Sequence, residues 1–142
     1  MYLLDASGSM GEWGKFDAAR AALIATLRLQ PPTVRFQIVI YAGTARSPLR
    51  GGAGEALPAT AANIDRAIEA LQTLEPPTGR SNHLEGLRVA LFFRPDVALF
   101  LTDGDDLPAA RFRGLVKQAE KPATICIARA TARGIAAQIE VK

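Results

Sequence analysis

Two apolar runs of this chain each stop at an aspartate, and that pair of strand endings constrains the fold more than any other feature. The first, Tyr2-Leu-Leu-Asp5, continues as Asp5-x-Ser7-x-Ser9. The second, Val97-Ala-Leu-Phe-Leu-Thr102, runs into Asp103-Gly104. Each reads as a strand that hands a carboxylate to a tight loop. Gly8, between the two serines, relaxes the backbone so that both hydroxyls can turn inward. Between the two runs lies a polar loop, Gly79-Arg80-Ser81-Asn82-His83-Leu84, leading into a helix.

The remaining periodicities fit the same plan. Residues 11–14 read as a turn and residues 15–29 as a helix, with Phe16, Ala19, Leu23 and Leu27 on one face, Ile24 beside them, and Pro31-Pro32 as the stop. Residues 34–41 form one strand, apolar on both faces at its end and therefore central. A short edge strand fits residues 45–49. The cluster Gly51-Gly-Ala-Gly54 is a surface loop, since it lacks the lysine and hydroxyl residue of a phosphate loop. Thr60 caps a helix to about residue 74 that turns Ile64, Ala67, Ile68 and Leu71 inward. Residues 84–93 and 108–118 are helical, residues 97–101 and 123–128 are strands, and residues 131–142 fit helix and strand equally. Such alternation predicts an α/β fold: a doubly wound, mostly parallel central sheet with helices on both faces. Ligands in these sheets gather beyond the carboxyl ends of the strands, where strand order reverses. Asp5 and Asp103 both fall at such ends.

The 142 residues are the length of one domain, 1–142, open to truncation at the first strand and at the C-terminal end. An apolar fraction of 49% with 22% charged residues is that of a globular protein. No run approaches the roughly 18 apolar residues of a membrane span. The first residues also lack the pattern of a signal peptide, so the expected location is cytoplasmic. Cys126, the only cysteine, reads as a small core hydrophobe. The net charge of +3 comes with scattered arginines, and this argues against a nucleic-acid partner.

A carboxylate and two hydroxyls in one loop suit a hard divalent cation, magnesium above all, which takes oxygen ligands and keeps several waters. The three loops together resemble the von Willebrand factor type A domain and its metal-ion-dependent adhesion site, over a stretch from Tyr2 to about Ala128. The resemblance implies that Ser7 and Ser9 coordinate the ion directly and that Ser81 stands where the family usually has threonine. It implies that Asp5 and Asp103 act mainly through bound water. The cofactor would be Mg2+, with Mn2+ or Ca2+ as alternatives, and the partner a protein offering an aspartate or glutamate carboxylate to complete the octahedron.

Two departures stand out. Ser81 keeps the oxygen of threonine and loses the methyl that fixes its rotamer. Arg80 brings a cation toward the ion, which either weakens metal binding or holds the partner carboxylate. Thr78 is a rival to Ser81. Trp13 reads as a contact residue or as packing, and His83 as a surface residue at a helix start; with Arg80 they are the candidate partner contacts. Asp105 and Asp106 read as a solvated acidic pair. The expected function is a metal-dependent protein-binding module and not an enzyme. One rival is a metal-free scaffold. The other is a magnesium-dependent phosphoryl-transfer enzyme with Asp5 as nucleophile, but Ser7 stands where a second acid belongs.

Overall fold

The computed structural model describes residues 1–49, 55–104 and 107–141, with side chains through residue 136. In chain order the elements are β1 (Tyr2–Asp5), a 3-10 helix (Gly8–Gly14), α1 (Lys15–Arg28), β2 (Arg35–Phe36), β3 (Ile38–Tyr41), β4 (Ala45–Arg46), β5 (Leu57–Pro58), α2 (Ala61–Gln72), α3 (His83–Phe92), β6 (Val97–Thr102), α4 (Ala109–Gln118), β7 (Thr124–Thr131) and β8 (Gly134–Val141). The main sheet has the order β4-β3-β1-β6-β7-β8. Its inner pairs, β3 with β1, β1 with β6 and β6 with β7, are parallel, and the edge strands β4 and β8 run antiparallel. This is the expected mostly parallel, Rossmann-like sheet flanked by helices.

Alternation along the strands divides the interior into two layers. Leu4, Ile38, Ile40, Leu101 and Ala128 point to the face covered by α1 and α2, where Phe16, Leu23, Leu27, Ile64 and Leu71 are buried. Leu3, Val39, Tyr41, Phe100 and Ile127 point to the other, where Leu87 and Ala90 of α3 and Phe112 of α4 pack. Strands buried on both faces carry apolar residues without a polar alternate, which is why β1 and β3 read as continuous runs. Ile64, Ala67, Ile68 and Leu71 are buried as their spacing predicts, and Thr60 caps α2 by accepting a hydrogen bond from the Asn63 amide.

The strand expected over residues 34–41 is broken at Gln37. Its buried side-chain oxygen accepts from the Ile38 amide at 3.0 Å and from the Ser47 hydroxyl at 2.8 Å. A side chain bonding its neighbouring backbone competes with the ladder. β2 leaves the main sheet and pairs with β5, a strand the periodicity did not reveal. The ambiguous C-terminal stretch is the strand β8, hairpinned onto β7. The loop reading of the glycine cluster falls on residues 50–54, outside the described residues, as do Asp105 and Asp106. Among the described residues no helix is long and apolar enough to cross a membrane.

Candidate metal centre

β1 and β6 lie side by side, and the chain turns to opposite sides of β1 to place β3 and β6. This is the reversal of strand order at which α/β sheets bind ligands. Asp5 and Asp103 therefore lie together at the carboxyl end of adjacent strands.

Asp5 is completely buried. Its Oδ1 accepts from the Ser7 amide at 2.9 Å, and its Oδ2 from the Thr102 hydroxyl at 2.6 Å. Thr102 Oγ1 in turn accepts from the Gly104 amide at 3.0 Å. The carboxylate thus fixes the first loop and, through Thr102, the turn that carries Asp103. Charge-assisted bonds of this length are the strong class of hydrogen bond. The hydroxyls follow in a row. Ser7 Oγ is 3.4 Å from Ser9 Oγ, and Ser9 Oγ donates to Asp103 Oδ1 at 3.0 Å.

The third loop is stitched to the first through backbone. The Gly8 amide donates to the Gly79 carbonyl at 2.9 Å, and the Thr78 amide donates to the Ala6 carbonyl at 2.9 Å. Gly79 has φ +81°, a left-handed conformation that favours glycine. Asn82 anchors the far end: its amide reaches the Ala42 carbonyl at 2.7 Å, and its side chain caps α3 at the Glu85 amide at 3.1 Å. Ser81 is exposed between these two anchors, and Arg80 and Thr78 are exposed beside it.

His83 is not at the surface. It is 6% exposed, and its Nδ1 lies 2.9 Å from the Tyr41 hydroxyl, with the two rings edge to face. The first turn of α3 faces the sheet, so the residue supports the loop from beneath. Trp13 is 79% exposed. The stretch expected as a turn is a 3-10 helix interrupted at Glu12 and Trp13, where Trp13 takes φ +57°. A left-handed bulky residue costs about 1–2 kcal/mol, and here it turns the indole outward beside the site.

Two residues were missed from the sequence. Thr102 looked like the end of an apolar strand, yet a lone hydroxyl there, directly before Asp103, was the available signal. Lys15 opens α1, and its Nζ lies 2.8 Å from Asp103 Oδ2 and 3.3 Å from the Ser9 carbonyl. The hydrogen bond to Asp103 holds the lysine pKa above its ordinary value, so it is a cation at neutral pH. A lysine in the first turn opposes the helix dipole. That unfavourable placement was the clue to a partner elsewhere.

The donor set is hydroxyl and carboxylate oxygen, which fits a hard dication. Among the described residues no group of three or more His, Cys, Asp or Glu could hold a metal, so the serine hydroxyls would have to contribute ligands.

No family model matches this chain, and no curated protein matches it either. Solved structures do match. A von Willebrand factor type A structure from Catenulispora acidiphila superposes with TM-score 0.73 at 23% identity, over 87% of this chain and 31% of the other. The manganese-loaded TRAP protein of Plasmodium vivax gives 0.62 at 19%, over 94% and 57%. Proximal thread matrix protein 1 from the mussel byssus, with a zinc-occupied adhesion motif, gives 0.60 at 18%, over 90% and 34%. The chain thus spans between about a third and just over half of these relatives. At such identities the likeness is one of architecture, and the fold of this chain is that of the von Willebrand factor type A domain.

Proposed function

We propose that this chain is a divalent-metal-dependent protein-binding module whose ion is held by Asp5, Ser7, Ser9, Ser81 and Asp103. The observation that carries the reading is the row of oxygens from Ser7 through Ser9 to Asp103, closed behind by buried Asp5. The metal-loaded state of two structures with the same fold supports it. Mg2+ is the expected ion, with Mn2+ or Ca2+ as substitutes, and it supplies a Lewis-acid centre for an anion.

Ser7 and Ser9 contribute neutral oxygens directly, and Ser81 contributes the third-loop hydroxyl in preference to Thr78. Asp5, with both oxygens already engaged, orients the loop and any water it bonds. Neutral direct ligands leave the centre electrophilic, so a partner aspartate or glutamate completes it. Trp13 offers the rigid apolar anchor common at interfaces, and Arg80 the planar donor for a carboxylate. His83 contributes by holding the third loop in place. Burial of Asp5 gives no support to a phosphoryl-transfer nucleophile.

Calorimetric titration of Mg2+, then Mn2+ and Ca2+, into chelator-stripped protein tests the reading. One saturable site, abolished by Asp5→Ala in a protein that remains folded, is the expected result. Partner binding that survives complete chelation would defeat it. One observation favours a second reading, a metal-free scaffold: the ammonium of Lys15 sits on Asp103 and partly neutralises the carboxylate without a metal ion.

A further inference from the structure

We infer that Lys15 is a resident cation of this centre, one that opposes a dication bound alone and favours an anion bound beside it. The inference rests on the metal-binding reading above and adds how that site is regulated.

Geometry carries it. Both oxygens of Asp103 are engaged, Oδ1 by the Ser9 hydroxyl and Oδ2 by Lys15 Nζ, and the same ammonium reaches the Ser9 carbonyl. Lys15 therefore touches the acidic side of the site and the backbone of the loop that presents the serine hydroxyls. The two side chains are 17% and 11% exposed, so the pair is partly and not wholly withdrawn from water. Lys15 is also held at its root. It opens α1, whose next residue, Phe16, is buried in the core, and the ammonium cannot leave the site without giving up Asp103.

Charge counting gives the consequence. Asp5 and Asp103 carry two formal negative charges, which alone would neutralise a dication. With Lys15 the unloaded centre carries one formal negative charge and the loaded centre one positive. Repulsion from the ammonium weakens the dication when it binds alone, and the excess positive charge strengthens an anion once the dication is in place. Linkage makes the coupling reciprocal: whatever factor the anion adds to metal affinity, the metal adds to anion affinity.

The test is calorimetric titration of Mn2+ into wild type, Lys15→Met and Lys15→Arg at fixed ionic strength, with and without sodium acetate as the carboxylate probe. Circular dichroism checks folding, and Lys15→Gln replaces Lys15→Met if the apolar residue disturbs the loop. Without acetate, loss of the ammonium tightens Mn2+ binding about tenfold, from the Coulomb energy of a unit charge and a dication a few ångströms apart in a water-like medium. At acetate below saturation, Mn2+ binding to wild type and to Lys15→Arg is strengthened, and this enhancement shrinks in Lys15→Met because the anion binds more weakly without the ammonium. Binding by Lys15→Met alone, with none to wild type even in acetate, assigns the wild type to the metal-free scaffold and overturns the inference. Equal or weaker binding by a folded Lys15→Met, or an unchanged acetate effect, overturns the inference and leaves the metal site standing. No binding by any variant defeats the metal-binding reading itself, and the inference with it.

Discussion

Asp5 shows how much one residue organises at this site. Its carboxylate is out of contact with solvent, and two donors, one from the first loop and one from the end of β6, compensate that burial. Thr102 supplies one of them and at the same time accepts from Gly104, so a single hydroxyl ties the first loop to the turn bearing Asp103. Thr102→Val keeps the shape and removes the hydroxyl, leaving a buried carboxylate oxygen short of its partner. The expected loss is about 1–3 kcal/mol in urea denaturation. Thr102→Ser should recover most of it, and equal losses in both variants would assign the effect to packing instead.

At the scale of elements, the site depends on how α3 is seated. Asn82 caps the helix and fixes the end of the loop that carries Ser81. Asn82→Ala removes the cap and keeps the backbone bond to Ala42, so it should cost about 1 kcal/mol of stability and weaken Mn2+ binding in the same preparation. One turn on, a side-chain carbon at Gly86 would lie 2.9 Å from the Tyr41 ring. Gly86→Ala therefore overpacks the contact between α3 and β3, with an expected cost of about 1–3 kcal/mol. Because Tyr41 also bonds His83, the same variant should alter exchange protection of amides at the start of α3; a change confined to the helix interior would contradict this.

For the whole molecule, a ligand that binds only the folded chain adds stability by mass action. An ion at a hundred times its dissociation constant adds about 2.7 kcal/mol, which for a domain of this size raises the melting temperature by roughly 8 °C. Wild type should show that rise with Mg2+ or Mn2+ and lose it to chelator, while Asp5→Ala should melt at one temperature in both. The architecture was legible because burial on both faces of a sheet writes itself as uninterrupted apolar runs, and burial of one helix face as a spacing of three and four. Gln37 defeated the same reasoning. Its side chain breaks a strand whose pattern continues unbroken, and only the partners that it meets, Ile38 and Ser47, reveal the break. Residues 131–142 stayed ambiguous because strand β8 is defined by pairing with β7, a contact that local periodicity does not record. By itself the sequence determined the alternation of the central strands with the helices, the inward faces of the helices, and the two aspartates at strand ends with serines between, because each is a matter of local pattern. Tertiary structure alone decided that Thr102 bonds Asp5 across 97 positions, that Lys15 reaches Asp103 across 88, and that His83 turns inward to Tyr41. These contacts join residues far apart in the chain, and a side chain's partner at that range is set by the packing of the sheet and not by its neighbours in sequence.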